Sequence, residues 1–162
     1  MTSPFGFPNP VNEKAARVVA GAVCAVSVVA LATGSYWLLV VLAYGFIARV
    51  LAGPSLSPLG RLATSVVAPR LGPPKPVPGP PKRFAQAIGA GLTSVGAIFV
   101  LTGHDHTVPV AVLVSLIAAS ALESIRGLCI GCRLFAGLMR IRLIPESVCA
   151  ECADLGLGAR QG

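Results

Sequence analysis

Charge is scarce in this chain. Asp, Glu, Lys and Arg make up 12% of its 162 residues, about half the roughly 25% of a soluble domain, while 54% are hydrophobic. This excludes a soluble globule and indicates a single integral membrane domain. Aromatic residues are also few, at 6%, so the net charge of +7 comes without the stacking side chains of a nucleic-acid binder. No nucleic-acid partner is expected; the basic residues lie between apolar runs, where the lipid bilayer accounts for them. Five cysteines in so apolar a chain are not the even framework of a small secreted disulfide scaffold.

The apolar runs define the spans. Residues 15–34 hold one charge, Arg17, and twenty helical residues at about 1.5 Å each cross about 30 Å of hydrocarbon. Ala16, Ala20 and Cys24 recur every four residues as a small-residue seam that admits another helix closely; Cys24 is thus read as packing rather than reactive. Ahead of this run, Asn9-Pro10 reads as its helix start, the Asn side chain capping early amides, and Glu13 can pair with Arg17 four residues on. Residues 1–11, with Phe5, Phe7 and three prolines, read as an irregular arm at the bilayer surface. Ala30-Leu-Ala32 fits a signal-peptidase site, but the leading arm is long and a second apolar run follows at once, which favours a retained span.

That second span, 35–52, opens on Tyr36 and Trp37, suited to a membrane interface, and carries Arg49 near its end, within snorkelling reach of the headgroups. Gly53-Pro54 stops it. In the loop 54–82, seven of the thirteen residues from 69 to 81 are proline, which excludes a helix there and favours an extended, stiff tether, with a docking role as the lesser alternative. Leu56, Leu59, Leu62 and Val66 share a helical face, a short interfacial helix. The third span, 84–102, has its own seam at Ala85, Gly89, Thr93 and Ala97. The polar turn His104-Asp105-His106 precedes the fourth, 108–128; with three adjacent residues it reads as a turn rather than a metal site. The seams serve either one molecule or a helix–helix homo- or hetero-oligomer.

All thirteen Lys and Arg fall in the arm and first turn, in 49–83, or in 126–160, and neither short turn has any. Positive charge marks the cytoplasmic side of short loops. The expected fold is therefore an all-α integral membrane protein of four transmembrane helices in two hairpins, both termini cytoplasmic, with a short amphipathic helix on the inner face. That helix follows Cys132, with Leu134, Leu138 and Ile141 on its apolar side and Arg133, Arg140 and Arg142 for headgroups.

The chemistry concentrates in the tail, 129–162. Cys129 and Cys132 are followed after sixteen residues by Cys149 and Cys152. The spacing fits four thiolates around a zinc ion, a structural site in a non-enzymatic scaffold or accessory subunit. Against this, Arg133 and Ala153 stand where a knuckle often has glycine. The alternative is redox: Cys129 and Cys132 at a helix start, with unpaired amides and Arg126 and Arg133 nearby, favour the thiolate that attacks disulfides and persulfides. Glu151 and Asp154 make the second pair less reactive, a relay at most. Glu123, near the end of the fourth span, is a functional candidate because ionisable groups are costly there; Arg126 is its nearest partner in sequence.

The segments Phe5-Gly-Phe-Pro-Asn-Pro-Val-Asn-Glu13, Pro81-Lys-Arg-Phe-Ala-Gln86, and Leu122-Glu123 leading into Gly127-Leu-Cys-Ile-Gly-Cys132 together resemble the bacterial, mainly actinobacterial, membrane family known as domain of unknown function 4395. The resemblance runs from about Phe5 to Phe135 and singles out Asn9, Pro10, Asn12, Glu13, Arg83, Phe84, Glu123, Gly127, Cys129 and Cys132. It implies a small four-helix protein of the bacterial cytoplasmic membrane. It also implies thiol or sulfur handling beside a thioredoxin-like or sulfurtransferase partner, and no activity beyond that.

Overall fold

The computed structural model describes residues 7–103 and 105–149. Four helices are long and apolar enough to cross a membrane. α1 (Glu13–Thr33) starts where the Asn12 side chain accepts from the Lys14 amide at 3.1 Å and Glu13 places negative charge at the helix N-terminus; it ends on Gly34. α2 (Leu38–Ala52) stops at Gly53. Between α2 and the next span lie α3 (Pro58–Leu62), a π-helical turn at Ala63–Val67 and α4 (Ala68–Arg70). α5 (Gly79–Leu101) and α6 (Thr107–Arg126) complete the four, and α7 (Ile130–Arg140) follows. A minimal antiparallel ribbon joins β1 (Val11–Asn12) to β2 (Pro76–Val77), Val11 opposite Val77.

Three expectations change here. The third span begins at Gly79, not at residue 84, because Pro80 and Pro81 occupy the first helical turn, where a missing N–H costs nothing and the fixed φ suits the helix. Asn9 does not cap α1. Its side-chain oxygen accepts from the Gly79 amide at 2.9 Å, so it caps α5, while Asn12 takes the role at α1. Glu13 pairs with Lys75 at 2.7 Å rather than with Arg17, and Arg17 instead donates to the Ser124 and Ile125 carbonyls. Those carbonyls lie in the last turn of α6, where the chain ladder leaves acceptors unfilled and a cation is favoured.

The most extensive helix contacts join α1 to α6 and α2 to α5. Both pairs are antiparallel. Arg17 meets Ser124 and Cys24 meets Ile117 in the first, and Arg49 meets Gln86 while Val50 meets Arg83 in the second. Small residues make these approaches: a Cβ on Gly21, beside the first seam, would stand 3.0 Å from Ser124 Oγ, and one on Gly89 of the second seam would enter the Phe46 ring. Cys24 accordingly packs, its thiol 3.9 Å from the Ile117 carbonyl. Within the chain the seams have partners.

The shared core is Val19, Val23, Ala30, Leu39, Leu42, Phe46, Leu113 and Leu116. Large apolar side chains such as Val29, Tyr44, Leu51, Ile98 and Val114 face outward, an unpartnered apolar surface of the kind a bilayer covers. The antiparallel pairings bring the start of α1, the end of α2, the start of α5 and the end of α6 to one end of the bundle. Lys14, Arg17, Arg49, Lys82, Arg83 and Arg126 lie on these four segments.

Candidate functional site

Gly127 produces the turn into the site. At φ 69° it caps α6 in the left-handed region that suits glycine, and its amide and that of Leu128 return to carbonyls of the last turn of α6. Cys129 follows as the N-cap of α7, its sulfur accepting from the Cys132 amide at 3.4 Å. Gly131, between the cysteines, permits the docking of α7 on α5: a Cβ there would lie 2.5 Å from Ala85 Cβ. Phe84 and Phe135 stack at 5.5 Å behind it.

Cys129 and Cys132 are both free thiols, and their environments differ. The Cys132 thiol, hydrogen-bonded to the Cys129 sulfur, holds Cys129 below the ordinary cysteine value of 9.0; burial and Glu123 oppose this, and Lys82 assists. The same hydrogen bond raises Cys132, with burial adding to the effect. One thiol is therefore prepared to be the thiolate and the other to keep its proton. The nearby cation is Lys82; Arg126 and Arg133, expected in that role, are exposed.

Lys82 also corrects the partner of Glu123. Lys82 Nζ lies 2.5 Å from Glu123 Oε1, with the two side chains only 8% and 16% exposed, so the ion pair links α5 to α6 rather than running along α6 to Arg126. Arg49, expected to snorkel outward, is buried at 6% exposure. Its Nε donates to Gln86 Oε1 at 2.8 Å, its Nη1 reaches Ser57 Oγ at 3.4 Å, and its guanidinium lies 4.6 Å from the centre of the Phe46 ring. Nη2 has no hydrogen-bond partner among the described residues. Sequence reasoning missed Lys82, Arg49 and Gln86 as site residues. For Arg49 the signal was present, a charge inside an apolar run; for Lys82 the prolines concealed that it lies in a helix.

Cys129 lines two cavities. One, of about 360 Å³, lies between the helices and includes Phe46, Arg49, Gln86 and Glu123 in its wall. The other, of about 410 Å³, is lined by Glu13, Lys82, Cys132 and Arg133 as well. Cys132 belongs to the second alone.

Of the zinc set, Cys149 is buried against Phe135 and Met139 and is disulfide-bonded, and Cys152, like Glu151 and Asp154, lies outside the described residues. Among the described residues no three His, Cys, Asp or Glu side chains gather closely enough to hold a metal ion. α7 buries Phe135 and Met139 while Leu134 and Ile141 face outward, so its apolar residues divide between the protein and the surroundings. At the far end of the bundle, Asp105 accepts from the Thr107 hydroxyl at 2.5 Å and His106 stacks on Tyr36 at 4.9 Å; His104 lies outside the described residues.

These features define an all-α membrane protein with four helices long and apolar enough to span, a buried ion pair between two of them and two free thiols at the start of the helix that follows. The chain belongs to the family described as Domain of unknown function (DUF4395), which matches residues 11–140. No curated protein and no solved structure matches it.

Proposed function

We propose that the protein presents Cys129 and Cys132 as a dithiol for thiol redox or sulfur relay with a thioredoxin-like or sulfurtransferase partner. The dithiol faces the cytoplasm of a bacterial membrane in which both termini are cytoplasmic. The observation that carries this reading is the unequal pair of free thiols at the N-terminus of α7, with the Lys82–Glu123 ion pair beside it. In the exchange, the Cys129 thiolate attacks one sulfur of the partner's disulfide, and the partner's other sulfur leaves as thiolate. The Cys132 thiol then loses its proton and attacks Cys129, which releases the partner reduced and leaves a Cys129–Cys132 disulfide. Sulfur relay uses the same first step on a persulfide, transferring its outer sulfur to Cys129. Glu123 is a positioning residue that holds Lys82 against the thiols.

Cys132→Ser is expected to accumulate a mixed disulfide through Cys129, and Cys129→Ser none; no adduct from either variant under oxidising conditions would remove the proposal. Alkylation of Cys129 should accelerate at a pH below the ordinary thiol value of 9.0, with Cys132 unreactive over the same range. An impermeant thiol reagent should label the tail only after the cells are permeabilised. Metal analysis tests the scaffold alternative: about one zinc per chain, lost on Cys129→Ser and on Cys149→Ser, would replace the redox reading with a structural site.

A further inference from the structure

The inter-helix cavity beside Cys129 has the features of a binding site. Its volume of about 360 Å³ falls within the roughly 300–1,000 Å³ of small-molecule sites. Its wall is apolar except at Arg49, Gln86, Ser115, Ser120, Glu123 and Cys129. Ile88 and Leu92 of α5 and Leu134 of α7 also line it while being 38%, 40% and 52% exposed, so it opens on the outward face of α5, a helix apolar enough to span a bilayer. A ligand entering there comes from the lipid and is largely apolar.

Arg49 specifies the polar part of that ligand. Its side chain is buried, yet Nη2 has no acceptor among the described residues, and a buried donor left unpaired is costly. A ligand oxygen would complete its hydrogen bonds. Glu123 and Cys129 share the wall with Arg49, and an anionic ligand would meet the Glu123 carboxylate there, which favours a neutral carbonyl over a carboxylate.

We propose that this cavity takes the head of a lipid-soluble quinone, with one carbonyl oxygen accepting from Arg49, as the two-electron acceptor for the Cys129–Cys132 dithiol. This rests on the redox reading of that pair. One sulfur–sulfur bond forms between Cys129 and Cys132, and two electrons pass to the quinone ring. The Cys132 thiol supplies one proton and water the other, giving a hydroquinone with two O–H bonds. Partner thiols would regenerate the dithiol by the reverse of the exchange described above, reducing the Cys129–Cys132 disulfide as the partner's own disulfide forms, so that electrons run from partner thiols in the aqueous phase to the carriers of the membrane.

The probe is decylubiquinone, whose fully substituted ring resists direct addition of thiols, mixed with the full-length reduced protein in detergent. Parallel samples receive 4,4′-dithiodipyridine. Wild type should reduce the quinone as the Cys129 and Cys132 thiols disappear together. The ratio of quinone rate to dithiodipyridine rate should fall about ten-fold or more in Arg49→Met, as expected for loss of a hydrogen bond from a charged donor, and recover in part in Arg49→Lys. Leu92→Trp, placed at the mouth and away from Arg49, should lower the same ratio. A wild type that reacts with dithiodipyridine but not with quinone overturns this proposal and leaves the dithiol reading standing. Thiols inert to both reagents overturn both. An unchanged ratio in Arg49→Met and Leu92→Trp, or Arg49-dependent binding of oleate that excludes the quinone, assigns the cavity elsewhere.

Discussion

At one end of the bundle the chain reverses with local means: Gly34 in the left-handed region after α1, and Asp105 capping through Thr107 before α6. At the other end the fastenings join residues far apart in sequence. Arg17 reaches Ser124, Lys82 reaches Glu123, and Asn9 reaches Gly79. Apart from the Tyr36–His106 ring contact, the first end therefore shapes individual turns, whereas the second holds the two halves of the molecule to each other by hydrogen bonds and an ion pair. The thiols lie at the second end, where Lys82 from α5 and Glu123 from α6 reach them only if the halves are assembled. Chemistry and assembly share the same contacts there.

Lys82→Ala should have the largest effect. Removing one member of a buried pair leaves the other charge uncompensated, which costs about 3–5 kcal/mol, read as a lower unfolding temperature in detergent. Cys129 alkylation should slow at pH 7 in the same variant, because the assisting cation is gone. Adding Glu123→Gln to Lys82→Ala should restore stability and bring the alkylation rate back, because the carboxylate that raises the Cys129 thiol goes together with the amine that lowers it. An unchanged alkylation rate in Lys82→Ala itself would mean that the ion pair serves assembly alone, and the contrast between the ends would weaken.

Gly131→Val comes next. The new side chain would collide with Ala85, and relief of such overpacking costs about 1–3 kcal/mol. Displacing α7 from α5 should also bring the alkylation rates of Cys129 and Cys132 closer together. Asp105→Ala is expected to do least, with a small fall in unfolding temperature and no change at either cysteine. Its sign with pH is fixed: the Thr107 hydroxyl holds the Asp105 carboxyl below 3.8, so its stabilisation is complete above that value and disappears as pH falls through the lowered one. A change in cysteine reactivity on Asp105→Ala would show that the ends are coupled after all.

The spans were legible because a bilayer imposes a length on apolar runs, and 13–33 or 107–126 could not be disguised. The cysteine pair at a helix start was legible too, since Gly127 before it and the apolar run after it both read locally. What the sequence hid was pairing at a distance. Asn9-Pro10 looks like the cap of the nearest helix, and nothing local shows that its side chain serves Gly79, 70 residues on. Arg126 is the obvious neighbour of Glu123 along one helix, yet Lys82 takes it, 41 residues away, because antiparallel packing brings the start of α5 against the end of α6. The seams indicated close approach but not which helix approaches which.

The capping of α5 by Asn9 has a consequence for biosynthesis. Residues near the N-terminus leave the ribosome first and must wait until the chain has been extended past Gly79 before their hydrogen bond and the β1–β2 ribbon can form. Closing a loop of that length adds only logarithmically to the entropic cost, but it can happen only late. α1 and α2 are thus made with the segment that precedes them uncommitted, and synthesis of the start of α5 is the event that lets Asn9 and β1 take their places.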